Sequence, residues 1–216
     1  MCHGRIQRNI VLCGISQAVS RKIYVSDKLH LELQAIVYKS PLLSSVLGKW
    51  DEIALPDSWL VAGAVAQTVW NHVFGFPPVY GIQDIDIVYF DPDDLSEASE
   101  AEHSARIRAA FSELKVWIDV KNQARVHYWY EAKFGYSINP YTSTTEAIST
   151  FPTTAAAVGL RPHHAALELC TPYGLADLLG AVVRPNKKQI TREIYEKKIG
   201  RWIKLWPELT IVDWDK

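Results

Sequence analysis

Two aspartates separated by one residue, Asp84 and Asp86, constrain this chain more than any other feature of its sequence. They lie in the apolar run 82–90, which predicts a strand, and side chains along a strand alternate between its two faces. Both carboxylates therefore share one face, while Ile85 and Ile87 share the other. Burying two neighbouring carboxylates without a counter-charge is costly. The pair predicts a site for Mg²⁺ or Mn²⁺, because hard oxygen ligands bind such cations together with substrate phosphates.

A third carboxylate, Asp119, lies in the next predicted strand, residues 115–120. Val116, Ile118 and Val120 alternate with it and predict that the strand is half-buried. If the two strands are neighbours, the three carboxylates converge as a two-metal nucleotidyl-transfer site requires. The alternative is that the aspartates line a solvated sheet edge.

A strand, a glycine and a helix follow one another upstream of the aspartates. Residues 59–62 form a short apolar run, and valines recur at helical spacing in residues 64–74. At Gly63 a small residue would let a phosphate approach the backbone, and the helix N-terminus would offer N–H donors. We therefore predict that Gly63 and Ala64 bind nucleotide, the alternative being tight packing without a ligand.

Composition limits the other possibilities. A chain of 216 residues can bury about 70% of its surface, so it needs no disulfide or structural metal. Its net charge of −1 excludes a generally basic nucleic-acid coat. The 3 cysteines are widely spaced and form no Cys-x-x-Cys pair, which favours a reducing, cytoplasmic location. No apolar run is long enough to predict a membrane span.

The turn, the Asp-x-Asp strand and Asp119 together resemble the polymerase-beta-type nucleotidyltransferase superfamily, in that superfamily's order. More closely, residues 59–94 and 117–127 resemble an uncharacterised bacterial nucleotidyltransferase-like family within it. The resemblance implies an α/β (α+β) fold: a small mixed sheet of the minimal nucleotidyltransferase type, with helical additions at both ends. It also implies metal chemistry, but no settled substrate. Further blocks that resemble the family are residues 151–154, 171–175 and 184–186.

This resemblance implies a Mg²⁺-dependent transfer of a nucleoside monophosphate from an NTP to an acceptor hydroxyl. Asp84 and Asp86 would bridge two metal ions, and Asp119 would complete the second site and help to activate the hydroxyl. The acceptor is open, with RNA as one candidate and no membrane partner. Three basic residues beside the motif blocks are candidates for neutralising the triphosphate, although a residue of this kind is more often a surface charge. They are Lys121, Arg161 and Arg184.

The chain also departs from the superfamily's pattern. The usual Gly-Gly or Gly-Ser turn is here Ala62-Gly63-Ala64, which lacks a serine hydroxyl. Ala66-Gln67 stands where tRNA CCA-adding enzymes have an Arg-Asp pair. An alternative is therefore a non-catalytic nucleotide- or RNA-binding module that retains the fold. A toxin-like transferase acting on tRNA is a third possibility, supported only by the basic residues of the C-terminal helix.

The pattern of turns and helical spacings predicts the organisation of the chain. We expect residues 1–25 to be a loosely attached lead-in and residues 26–216 to form a single domain with a C-terminal helical extension. Residues 142–159 predict two short helices around Pro152, and residues 167–171 predict another strand. The remaining predicted helices are 28–49 as a hairpin or kinked helix, 94–111, 122–134, 175–183 and 188–205.

Overall fold

A five-stranded mixed sheet organises the protein. The computed structural model describes residues 17–164 and 166–216. The sheet contains β1 (Trp59–Val61), β2 (Asp84–Tyr89), β3 (Trp117–Asn122), β4 (Gly159–His163) and β5 (Ala166–Cys170). Its strand order is β3-β2-β1-β4-β5, with β2 and β3 parallel and the other neighbours antiparallel. A smaller parallel pair is formed by β6 (Val182–Val183) and β7 (Thr210–Ile211).

Helices precede, separate and follow these strands. The described part of the chain contains α1 (Gln17–Lys39), α2 (Pro41–Gly48), α3 (Gly63–Phe74), α4 (Glu97–Ala110), α5 (Val126–Phe134), α6 (Thr144–Ile148), α7 (Ala176–Leu179) and α8 (Arg192–Trp202). The predicted α/β class is confirmed: a small mixed sheet with helical additions at both ends. None of the helices in the described residues is long and apolar enough to cross a membrane.

The first two helices meet at a kink, as the sequence predicts for residues 28–49. Ser40 interrupts the helix, and its hydroxyl accepts a hydrogen bond from the Leu43 N–H. Pro41 occupies the first turn of α2, where its missing N–H costs nothing. The first helix begins at Gln17, inside the predicted lead-in, and residues 1–16 lie outside the described residues. The proposed division into lead-in and domain stays a prediction.

Three tryptophans fix the C-terminal helix against α3. The Trp70 ring contacts Trp202 edge-on, with centroids 4.9 Å apart, and Trp206 at 5.5 Å. All three are fully buried, and Trp206 Nε1 donates a hydrogen bond of 2.8 Å to Asn71 Oδ1. Aromatic pairs in this geometry add to the free energy of burial. The contact holds α8 beside the N-terminal half of the chain, where β1 and β2 also lie.

The segment 142–159 differs from the predicted pair of short helices. One helix, α6, forms there, and residues 151–158 form turns and irregular backbone. Thr153 Oγ1 accepts the Ala156 N–H, and the Ala62 N–H donates to the Val158 carbonyl. The second helix is absent because its small residues instead pack in the core beside the end of β1.

The strand β4 was not predicted, whereas the predicted strand 167–171 is confirmed as β5. β4 contains Gly159 and Pro162, and both residues weaken a strand pattern. The structure explains their presence. A Cβ at Gly159 would lie only 2.8 Å from Ile148 Cδ1, and β1 pairs with β4 only at Gly159 and Leu160, short of the proline.

Other predicted helices have different bounds. The predicted helix 94–111 begins later, because Ser96 rather than Asp94 caps it by accepting the Ser99 N–H. The predicted helix 175–183 ends as α7, and its last residues form β6 by pairing with β7. The predicted helix 188–205 is α8, which is shorter at both ends.

Candidate active site

The register of β2 and β3 places the three predicted aspartates on one face of the sheet. The strands are parallel, with Asp86 opposite Asp119 and Asp84 opposite Trp117. Residues opposite one another on neighbouring strands point to the same side, and so do residues two apart on one strand. All three aspartates are half-buried. The predicted adjacency of the two strands is therefore correct.

The three carboxylates do not, however, form a closed metal cluster. Within the described residues, no three His, Cys, Asp or Glu side chains are gathered as a metal site. The carboxylates share one face of the sheet, and a metal site among them stays a prediction. Asp119 Oδ1 lies 3.5 Å from Lys121 Nζ, whose positive charge partly balances that carboxylate.

Asp86 is the most perturbed acid of the site. Burial raises the pKa of Asp86 from 3.8 to about 6, and the neighbouring charges of Asp84 and Asp119 add to this rise. The positive charge of Lys198 and the Gly63 backbone N–H act in the opposite direction. A carboxyl with so high a pKa, in a cavity and beside like charges, is typical of a functional site.

The turn between β1 and α3 lies directly against Asp86. A Cβ placed on Gly63 would be 3.9 Å from Asp86 Oδ2 and 3.3 Å from Gln67 Nε2. The first N–H groups of a helix have no partner within it, and the N–H of Gly63 interacts with the Asp86 carboxylate. Ala62 holds the turn with φ 58° and ψ −122°, a conformation that non-glycine residues rarely adopt.

Lys198 on α8 forms part of the opposite wall, and we did not single it out from the sequence. It is partly buried, with Nζ 5.2 Å from the centre of the Trp202 ring, and it lines the same cavity as Asp86. Burial lowers the pKa of Lys198, and the negative charge of Asp86 opposes this. The sequence did contain a signal: Lys198 lies three residues after Tyr195 and four before Trp202, both on the apolar stripe of the helix.

A cavity of about 240 Å³ adjoins Asp86. It lies over the aspartate-bearing face of the sheet, between that face, α5 and α8. Its walls are mainly apolar and aromatic, and the amides of Gln123 and Gln189 supply polar groups. Small-molecule sites have this combination of rings and a few placed polar groups. Among the ring and aliphatic residues that line it are Val61, Val88, Trp129, Tyr130, Phe151 and Ile194.

Among the predicted basic residues, Lys121 is the one that lies at the aspartates. Its Nζ is 3.5 Å from both Asp119 Oδ1 and Glu100 Oε1, and its side chain lines the cavity. Glu100 is itself buried and accepts a 2.9 Å hydrogen bond from Arg125. Lys121 is therefore held at the site by two carboxylates. Its role in nucleotide binding stays a prediction.

The structure places Arg161 and Arg184 elsewhere. Arg161 follows the β4 residues that pair with the last residues of β1, so it lies toward the opposite end of β1 from Asp86. Its guanidinium forms ion pairs with Asp57 at 3.0 Å and Glu168 at 2.8 Å. Arg184 is exposed and donates to Asp177 at 2.9 Å. Neither is brought to the aspartates, because each is held by carboxylates of its own region.

Comparison with known proteins agrees with this geometry. The profile of the Nucleotidyltransferase family matches residues 49–211, which include the turn, all three aspartates and α8. The chain belongs to this family. It is a nucleotidyltransferase, and its substrate is accordingly a nucleotide. The resemblance stated from the motifs is thereby confirmed at the level of the family, whereas the roles of individual residues stay predictions.

A solved structure shows the same fold. It is an NMR structure whose title reports "a CCA-adding enzyme head domain", with a TM-score of 0.71 and 30% sequence identity. The match covers 85% of this chain and 95% of that chain. No match is found among curated proteins.

Proposed function

We propose that this nucleotidyltransferase moves a nucleoside monophosphate from an NTP to an acceptor hydroxyl, with Mg²⁺ or Mn²⁺ as the metal. The observation that supports this most is the paired register of Asp86 and Asp119, beside the start of α3, where the Gly63 N–H faces Asp86. Acidic ligands for a metal and donors for phosphate thus lie at one end of β2.

The aspartates fit a divalent cation. Asp84, Asp86 and Asp119 share a face, and burial together with neighbouring negative charge raises the pKa of Asp86 to about 6. A cation between them would remove this repulsion. A bound Mg²⁺ would polarise the α-phosphate and lower the pKa of the acceptor hydroxyl. Because Mg²⁺ commonly takes one or two carboxylates plus substrate phosphates, we expect nucleotide oxygens to complete the coordination.

The chain's own groups would position the reactants. The N–H groups of Gly63 and Ala64 would bind phosphate oxygens, and the aromatic cavity beside Asp86 would receive the base. The acceptor oxygen forms a bond to the α-phosphorus while the bond to the β-phosphate oxygen breaks. Pyrophosphate then leaves with the electrons of that bond. Asp119 would take up the proton of the acceptor hydroxyl.

The acceptor would approach over the edge of the sheet. β3 is an edge strand of the sheet, and the Asp119 side chain is 34% exposed, so a large hydroxyl-bearing molecule can reach it. The similar structure titled as a CCA-adding enzyme head domain makes RNA the first acceptor to test. Ala66-Gln67, in place of the Arg-Asp pair of CCA-adding enzymes, leads us to expect a product other than CCA addition.

The test is label transfer from each of the four α-labelled NTPs, with Mg²⁺, to separate pools of RNA, protein and small metabolites. We expect one pool to be labelled by the wild type, and Asp86→Asn and Asp119→Asn to reduce transfer by at least about 100-fold. Asp93→Asn is the matched control, because Asp93 is exposed in the loop after β2 and should leave transfer unchanged.

Two results would contradict the proposal. Nucleotide binding without transfer to any pool would favour the non-catalytic binding module. Transfer that survives Asp86→Asn at the level of Asp93→Asn would mean that the aspartates are not the catalytic site.

A further inference from the structure

An exposed tryptophan lies at the edge of the sheet, beside the aspartates. Trp117 is the first residue of β3, an edge strand, and it pairs in register with Asp84. Trp117 and Asp119 are two residues apart on this strand, so their side chains lie on the same face, about 7 Å apart along it. Trp117 is 57% exposed. The ring is therefore accessible from solvent next to the carboxylate that would face the acceptor.

Arg108 of α4 covers one face of this ring. Its guanidinium carbon lies 3.8 Å from the centre of the Trp117 ring, and its Nε donates a 2.8 Å hydrogen bond to the Ile118 carbonyl oxygen. A planar guanidinium that is stacked and hydrogen-bonded in this way holds the ring in one orientation. Because one face of the ring is covered, the exposed surface of Trp117 belongs mainly to the other face.

The positive charge beside the ring is not balanced by an acid. Within the part of the chain that the structure describes, Arg108 forms no ion pair, and neither does Lys115, which is exposed two residues before Trp117. The nearby Glu113 already pairs with a lysine of another segment. The acid opposite Trp117 is Asp84, whose charge a metal ion would neutralise. Positive charge is thus available here to a phosphate.

An exposed aromatic face beside unpaired cations matches the chemistry of single-stranded nucleic acid. Unpaired bases stack on aromatic rings, and the phosphates bind arginine and lysine. In a duplex the bases stack on one another, so their faces are not offered to a protein ring. A nucleic acid fits this edge better than a protein segment does. It alone needs a ring for its base, a cation for its phosphate and a carboxylate beside its terminal hydroxyl.

We propose that the last nucleotide of a single-stranded RNA acceptor binds here, with its base stacked on the free face of Trp117 and its phosphate beside Arg108. This inference rests on the proposed function and names the surface that would bind its acceptor. The separation of Trp117 and Asp119 along β3 is comparable with the span from a base to the hydroxyls of its own ribose. The terminal hydroxyl would therefore face Asp119. Stacking reads no base edge, so the single-stranded end would be recognised rather than a sequence.

The test measures RNA binding separately from NTP binding. Fluorescence anisotropy would follow a short dye-labelled single-stranded RNA with a free 3′-hydroxyl, and the same RNA as a blunt duplex. For Trp117→Leu we expect the affinity for the single strand to fall about tenfold, with duplex and NTP affinities unchanged. Trp117→Phe keeps an aromatic face and should retain most of the affinity. Tyr38→Ala is the matched control, because Tyr38 is an exposed aromatic residue on α1, outside the sheet.

Arg108→Gln tests the phosphate contact by a different measurement. The loss of one phosphate contact should reduce the slope of log affinity against log salt concentration by about 0.7 for a single strand. Trp117→Leu should leave this slope unchanged, because stacking releases no counterion. Neither residue is buried, so both variants should fold. If Trp117→Leu nevertheless fails to fold, the salt slope of Arg108→Gln decides the result.

The outcomes separate this inference from the proposed function. Unchanged single-strand affinity in Trp117→Leu, or an unchanged salt slope in Arg108→Gln, would overturn the acceptor surface and leave the transferase proposal intact. Equal losses for the single strand and the duplex would also overturn it, because stacking on a free base predicts a selective loss. The same holds for a wild type that binds no single-stranded RNA, or that dimerises through Trp117. A wild type that transfers label to no pool would overturn both.

Discussion

Charged side chains gather at two places on the sheet, and they are balanced differently. On β4 and β5, Arg161 lies between Asp57 and Glu168 at 3.0 and 2.8 Å, and its hydrogen bond lowers the pKa of Glu168. At the start of β2, Asp84 and Asp86 face cations of α8 but form no ion pair within the described residues, and burial raises the pKa of Asp86. The charges of the first group are balanced by side chains of the same chain. The negative charge of the second group is not, and a bound cation could balance it.

This difference separates stability from function. An ion pair whose two partners lie within the fold contributes to folding, and it leaves little unpaired charge that could bind a substrate. Buried carboxylates without a partner lower stability, and such a cost persists where a site must bind something else. Three stability measurements would test whether the two groups divide in this way.

The largest expected effect is on the pH dependence of apo stability. The folded protein holds the Asp86 proton up to a pKa of about 6, whereas the unfolded chain releases it near 3.8. Between these values the folded state binds more protons, so the free energy of unfolding falls as pH rises. The loss attributable to Asp86 reaches about 3 kcal/mol at neutral pH.

This effect is measured as a difference between variants. Urea unfolding of the apo wild type and of Asp86→Asn is compared from acidic to neutral pH, with Asp93→Asn as the control. We expect the variant to gain stability relative to the wild type as pH rises, and the control to follow the wild type. A variant that is several kcal/mol less stable at neutral pH would instead identify Asp86 as a partner in a buried ion pair.

A smaller effect of opposite sign is expected at the paired group. Arg161→Gln removes two partly exposed ion pairs and the stacking of the guanidinium 4.1 Å from the centre of the Trp59 ring. We expect the free energy of unfolding to fall by about 1–2 kcal/mol. NTP affinity and label transfer should not change. A weaker NTP affinity with unchanged stability would restore the nucleotide-binding role predicted from the sequence.

The sequence was sufficient to predict the aspartate face but not what lies opposite it. Alternation within β2 and β3 is local, so the shared face of Asp84, Asp86 and Asp119 follows from period-two spacing once the strands are neighbours. The glycine turn could also be predicted from the sequence, because few backbone conformations let a strand that ends in glycine continue directly as a helix.

The remaining parts depend on contacts distant in the chain. The segment that follows α8 is held against α3 by Trp206, which donates a hydrogen bond to Asn71 across a separation of 135 residues. Periodicity shows the apolar side of a helix but not which element that side will cover. For the same reason the sequence could not show that Arg161 pairs with Asp57 and Glu168 instead of binding a nucleotide. β4 was missed because its glycine and proline are explained only by its neighbours.

The smallest expected effect concerns the strained turn at the aspartates. Ala62 adopts φ 58° and ψ −122°, where glycine avoids the clash that a Cβ causes. The superfamily that this chain resembles has a Gly-Gly or Gly-Ser turn here. Ala62→Gly should therefore raise the free energy of unfolding by about 1 kcal/mol. Ala64→Gly, two residues later inside α3, should lower it by about the same amount, because glycine is unfavourable within a helix. Denaturant unfolding of both variants measures whether the turn is strained. A loss of stability in Ala62→Gly would show that it is not, and that the site lowers stability through its charges alone.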